Sequence, residues 1–199
     1  MRTLLLLRHA EREEILKSEV GNGALLTQQG KQDCLDFSLL LKEKVVSIKS
    51  SPIQRCQQTA ELIAKSTGFP IDNINTSALL GDPGFIIKNG EIAWLHWQQK
   101  GHEVVNQHLL NGVDHWEGFS ELNRAVTQVS DIIHYELQQA EQGTQIWVTH
   151  DTILAAYASR VLPKHLTLEQ WPDFLSYLKI QLLDNGTLDF RYQATGVHL

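Results

Sequence analysis

Three short strand-like runs along the chain end abruptly in charged or imidazole side chains. Residues 4–7 are four leucines, followed by Arg8, His9 and, three residues past the histidine, Arg12. Residues 45–50 run into Ser51-Pro52-Ile53-Gln54-Arg55, and residues 145–149 into His150-Asp151-Thr152. A short unbroken apolar run reads as a strand buried on both faces, the pattern of a parallel sheet. Helical periodicity fills the intervals. Thr27 is predicted to cap a helix over residues 28–44, with Leu35, Leu39 and Leu40 on its apolar face. Ser51 as N-cap and Pro52 at the first helical position open a second helix, which puts Arg55 in its first turn and stops at Gly68-Phe69-Pro70. A short strand is expected over 74–80, a long helix over 121–142, and a helical pattern from Ile153 onward. Residues 178–183 and 188–192 flank Asp184-Asn185-Gly186-Thr187, a hairpin signal.

These elements predict a three-layer α/β/α sandwich with a mostly parallel sheet and an antiparallel C-terminal strand. A length of 199 residues suits one domain, residues 1–199, with ample core. Residues 81–119 lack clear periodicity and hold Gly81, Gly84, Gly90, Gly101, Gly112 and Gly118 beside Trp94, Trp97 and Trp116. This irregular, loop-rich segment is expected to lie over the active edge as a cap that sets substrate specificity. In open α/β sheets ligands sit beyond the carboxyl ends of the strands, so Arg8, His9, Arg12, Arg55, His150 and Asp151 are expected to share one edge. Arginine suits planar, bidentate recognition of phosphate, and an imidazole among arginines suits nucleophilic phosphoryl transfer.

The same residues carry a resemblance. Arg8-His9-Ala10, the stretch Ser50-Ser51-Pro52-Ile53-Gln54-Arg55-Cys56-Gln57-Gln58-Thr59-Ala60, and Val148-Thr149-His150-Asp151-Thr152 resemble, in order, the motifs of the histidine phosphatase superfamily, also called phosphoglycerate-mutase-like or histidine acid phosphatases. Ala10 stands where the family usually has glycine. Arg12 and Asp151 resemble the acid phosphatase and phytase branch, whereas the small size resembles the mutase branch, which draws its acid from a glutamate in a middle loop. Here the comparable loop, Leu79-Leu80-Gly81-Asp82-Pro83-Gly84, offers Asp82 instead. The resemblance implies a metal-independent phosphatase. His9 would be the nucleophile, Arg8, Arg12, Arg55 and His150 would hold the phosphoryl oxygens, and Asp151 would be the general acid with Asp82 as the alternative. Asp82 also reads as a turn residue before Pro83. A mutase, a protein phosphohistidine phosphatase and a non-catalytic phosphate-binding member are the rival readings. No cofactor and no metal are implied, and the expected partner is a small phosphorylated substrate, less readily a phosphoprotein.

Composition narrows the alternatives. A formal net charge of −6 argues against nucleic acid or an anionic membrane as a general partner. Cys34 and Cys56 suggest no disulfide framework, and neither stands six positions before an arginine as cysteine-based phosphatases require. The gaps of six, six and seven among His96, His102, His108 and His115 fit no helical metal-ligand pair. The leucine run at 4–7 is too short for a secretory or membrane segment, so a cytoplasmic location is the default expectation.

Overall fold

The computed structural model describes residues 1–15 and 21–194. Strand β1 (Arg2–Arg8) carries the leucine run, and its two faces feed two separate cores. Leu4 and Leu6 pack into one cluster and Leu5 and Leu7 into the other, which is why the run does not alternate with polar residues. Helix α1 (Gln28–Leu39) is capped as expected, with the Thr27 hydroxyl accepting from the Gly30 amide at 2.9 Å. It ends five residues short of the expected Lys44, and its apolar face is corrected. Leu35, Leu39 and Leu40 are exposed, while the buried stripe includes Gly30, Cys34, Phe37 and Ser38. At Gly30 the helix approaches the loop after β1 closely: a Cβ there would meet the Glu11 carbonyl oxygen at 2.1 Å.

Strand β2 (Val45–Ser50) leads to helix α2 (Gln54–Thr67), whose N-cap is Ile53 rather than Ser51. The Ser51 hydroxyl is engaged by His150 instead, and Pro52 lies before the helix. Arg55 still falls in the first turn, and Gly68 closes the helix in the left-handed conformation (φ 73°) that favours glycine. The strand expected over 74–80 shrinks to β3 (Asn75–Thr76) and a 3₁₀ turn, Ala78–Leu80. The segment expected to be irregular holds two helices, α3 (Gly90–Lys100) and α4 (His102–Asn111), joined at Gly101 with φ 83°. The period of α3 was hidden because Ala93 is its one buried position and Leu95 is exposed, whereas α4 buries Val105, Leu109 and Leu110.

Helix α5 (Leu122–Gln139) is capped by the Glu121 carboxylate, which accepts from the Asn123 and Arg124 amides. It precedes β4 (Gly143–Thr149), buried throughout, and α6 (Asp151–Val161), which starts two residues before Ile153. Strands β5 (Tyr177–Leu182) and β6 (Leu188–Gln193) form the C-terminal hairpin. The six-stranded order is β3-β2-β4-β1-β5-β6. The first four strands are parallel, and the C-terminal hairpin of β5 and β6 adds the antiparallel pairings, as expected. Helices α1 and α2 cover one face against Leu5, Leu7, Ile48 and Val148, and α4, α5 and α6 cover the other against Leu4, Leu6 and Trp147. Arg8 pairs with Thr149 and Ser50 with Val148, so the carboxyl ends of β1, β2 and β4 lie side by side. Among the described residues no helix is long and apolar enough to cross a membrane.

Candidate active site

The residues leaving those three strand ends meet each other. The His9 amide continues the ladder to the Thr149 carbonyl at 3.0 Å, and the Ser51 amide to the Val148 carbonyl at 2.9 Å. His9 is 2% exposed and His150 5%. Their ring centroids lie 5.5 Å apart at 68°. His9 Nδ1 is 2.8 Å from the Ala10 carbonyl, so Nδ1 carries the proton and Nε2 presents its lone pair. Arg55 Nε donates to that Nε2 at 3.0 Å, and its Nη2 donates to His150 Nδ1 at 3.2 Å. His150 in turn donates from Nε2 to Ser51 Oγ at 2.9 Å. Burial first, then His150, Arg55 and Arg8, hold the His9 pKa well below its ordinary value. Burial and the Arg55 charge do the same for His150. Both imidazoles are therefore neutral.

Ala10 packs its methyl into the core formed with Cys56 and Ala60, and its amide donates to Thr59 Oγ1 at 3.1 Å. Its backbone does not enter the positive-φ region, so the position does not need glycine.

Arg8 is anchored on several sides. Nη1 donates to the Pro172 carbonyl, Nη2 stands 3.5 Å from Asp151 Oδ2, and the guanidinium lies 4.2 Å over the Phe174 ring. Its buried Nε has no acceptor among the described residues. Arg12 is placed less directly. It donates to the Glu13 carbonyl at 2.7 Å, and its charge is felt at Arg8, Arg55 and Asp151.

Two carboxyls line the cavity, which has a volume of about 230 Å³. Asp151 accepts from the Thr152 amide through Oδ1 (2.9 Å) and from Trp171 Nε1 through Oδ2 (3.2 Å). Burial works to raise its pKa, but Arg8, Trp171 and the Thr152 amide outweigh it and hold the group below its ordinary value. Asp82 is the opposite case. Burial raises its pKa against the pull of Arg55, and its buried Oδ1 has no hydrogen-bond partner among the described residues. That oxygen lies beside Gly90 at the start of α3; a Cβ there would come within 3.0 Å of it.

All the expected residues except Arg12 thus touch one another or line one cavity, and several contributors were not foreseen. The segment 171–175 supplies the Trp171 indole, the Pro172 carbonyl and the Phe174 ring, and Leu175 in it adopts φ 56°. A bulky residue in that region is strained, as at many functional sites. The Gly21 carbonyl holds Arg55 Nη1 at 2.9 Å, and the two roof helices contribute Trp94, Trp97, His102 and Asn106. The aromatic pair Trp171 and Phe174 around Pro172 was the one available sequence signal. The Gly21 carbonyl left none, because any residue offers one.

Comparison with known proteins places this geometry. The description "histidine phosphatase superfamily (branch 1)" matches residues 4–188. No curated protein sequence matches. Among solved structures, a phosphoserine phosphatase from Entamoeba histolytica, in complex with 3-phosphoglyceric acid, has a TM-score of 0.69 at 17% identity, covering 98% of each chain. A mycobacterial glucosyl-3-phosphoglycerate phosphatase has a TM-score of 0.64 at 15% identity, covering 99% of each chain. The protein histidine phosphatase SixA, complexed with tungstate, has a TM-score of 0.60 at 15% identity, covering 98% of this chain and 97% of its own. At such identities the likeness is one of fold.

Proposed function

The chain belongs to the histidine phosphatase superfamily, and we propose that it hydrolyses a small phosphomonoester through a phosphohistidine formed on His9. The observation that carries this reading is the state of His9: neutral, with Nδ1 tied to the Ala10 carbonyl and the Nε2 lone pair facing Arg55. An arriving phosphate draws the Arg55 guanidinium onto its oxygens and so uncovers Nε2. Nε2 attacks phosphorus, the N–P bond forms and the ester P–O bond breaks. Arg55, the free Nε of Arg8 and, at longer range, Arg12 offset the charge of the transferring group, so that guanidinium groups do the work a metal does elsewhere. His150 braces Arg55 and completes the cradle.

The leaving oxygen needs a proton. We assign that proton to Asp82, where the sequence favoured Asp151. Both Asp151 oxygens are occupied by donors and its charge is paired with Arg8, so it serves as a brace for Arg8 and Trp171. Asp82 lines the cavity, its pKa is raised by burial, and its buried Oδ1 has no hydrogen-bond partner among the described residues. After proton transfer its carboxylate takes a proton from water, the hydroxide attacks phosphorus, the N–P bond breaks and phosphate leaves.

The decisive experiment is rapid quenching with a radiolabelled phosphomonoester. An acid-labile, alkali-stable phosphoryl label on His9 is expected. Turnover with the label on another residue, or with no phosphoenzyme at any quench time, would overturn the mechanism.

A further inference from the structure

Resting on the phosphatase reading, we propose that the leaving group is an uncharged sugar, so that the substrate is a sugar monophosphate. The part of the cavity beyond Arg55 and His150 is made by the two roof helices. Trp94 and Trp97, one turn apart on α3, both line it, with ring centroids 6.3 Å apart at 32°. Trp97 is backed by Phe119, whose ring lies 5.5 Å away. His102 and Asn106 stand four residues apart on α4, on one helix face, and Asn22 completes the polar rim. Among the described residues no lysine, and no arginine but Arg55, lines the cavity.

Each class of leaving group makes a different demand on such walls. An alcohol bearing a carboxylate needs a cation away from the phosphate, and the rim offers amides and an imidazole. A planar base is gripped between two facing rings, but Trp94 and Trp97 lean on each other and leave no slot between them. An alkyl chain would cover the rim amides without hydrogen-bonding them. A sugar ring meets both features at once: its C–H face lies flat on an indole while its edge hydroxyls reach Asn22, His102 and Asn106. The volume of about 230 Å³ falls below the ~300–1,000 Å³ of pockets for drug-sized ligands, which leaves room for one ring beside the phosphate.

The test compares kcat/KM on a panel of hexose and pentose monophosphates with that on ethyl phosphate, whose primary alkoxide leaves as a sugar's does but makes no ring contact. Phosphoserine, 3-phosphoglycerate and a nucleoside monophosphate complete the panel. The best sugar ester is expected to exceed the other esters by about tenfold or more. In Trp94→Ala the ratio of sugar ester to ethyl phosphate should fall about tenfold, and in His102→Ala, at an exposed position that tolerates truncation, about threefold. Leu95→Ala, on the exposed side of the same helix, should hold the ratio within about twofold. A carboxylate ester or nucleotide as best substrate, or a ratio unmoved in both Trp94→Ala and His102→Ala, would overturn the leaving-group inference while leaving the phosphatase reading intact. Silence on every ester would overturn both.

Discussion

Floor and roof of the cavity draw on different kinds of sequence. The floor comes from three parallel strand ends, and each of its groups follows directly on a buried strand or sits in the first turn of the helix behind it. The roof comes from α3 and α4, whose contributing residues are spaced a helical turn apart and whose pattern looks irregular in the chain. On the proposed function, the buried, charge-flanked imidazoles set the reaction class, and the indoles and amides of the roof select the molecule that reaches it. The difference then teaches that reaction chemistry and substrate selection should be separable, and substitutions should separate them.

The largest effect belongs to the floor. His9→Ala should lower kcat on every ester by about 10⁴-fold or more, because the covalent route is lost with its nucleophile. Steady-state rates on a folded variant check this, and activity within about tenfold of wild type would move the nucleophile elsewhere.

The seam between floor and roof is tested by its two carboxyls. Asp82→Asn should slow alkyl phosphates by about 10²–10⁴-fold and p-nitrophenyl phosphate much less, since a nitrophenolate hardly needs a proton. The pH profile adds a sign. With Asp82 as the proposed acid its working form is the protonated one, and burial raises its pKa, so wild-type activity should decline as pH climbs through that value, and the decline should vanish in Asp82→Asn. Asp151→Asn should cost less and keep the decline. The reverse assignment would hand proton transfer back to Asp151.

Arg55 joins the floor's parts, and Arg55→Ala should weaken vanadate binding and kcat/KM together, by about 10²–10³-fold. Arg55→Lys should recover only part, for an ammonium cannot reproduce the planar fork. Calorimetric titration showing equal vanadate affinity in wild type and Arg55→Ala would place the residue outside the pocket.

The smallest effect sharpens the comparison from the roof. His108 is stacked on Trp116 at 3.9 Å and 2°, and burial together with Arg160 lowers its pKa to about 4. The unfolded chain binds a proton there below its ordinary value of 6.5 while the folded chain does not, so stability should fall as pH drops from 6.5 toward 4. His9 and His150 on the floor push the same way. His108→Phe keeps a ring against Trp116 and should flatten the slope by up to about 1.4 kcal/mol per pH unit, measured by urea denaturation. An unchanged slope would mean that the floor histidines carry the whole pH dependence.

Several features were legible before any coordinates because short-range physics specifies them. The leucines at 4–7 could not have faced water on either side, and a strand buried on both faces needs parallel neighbours and helical layers. Thr27 as a cap, Gly68 as a stop and the Asn185-Gly186 hairpin are local backbone chemistry, and each falls where its sequence signal lies. The gathering of His9, Arg55 and His150 follows from strand ends sharing one edge.

Other features are decided by groups distant in sequence, and no local pattern encodes them. The inward face of α1 is set in space: the Glu11 carbonyl stands against Gly30, and Cys34 and Phe37 fill the core while the leucines turn outward. The helical nature of 90–100 is masked because α3 buries only Ala93 and is held by aromatic contacts of Trp97 and His96, whereas α4 buries Val105, Leu109 and Leu110 within a stretch too short to stand out in the chain. The protonation of the two carboxyls is a tertiary property in the same sense. Asp82 and Asp151 are chemically identical in the chain, and what separates them is that Arg8, Trp171 and an amide converge on one while the other has an oxygen with no donor among the described residues. The sequence by itself determined which groups reach the strand ends; three-dimensional packing alone decided which are charged, which are free and what surrounds them, because burial and electrostatic neighbourhood depend on distance in space.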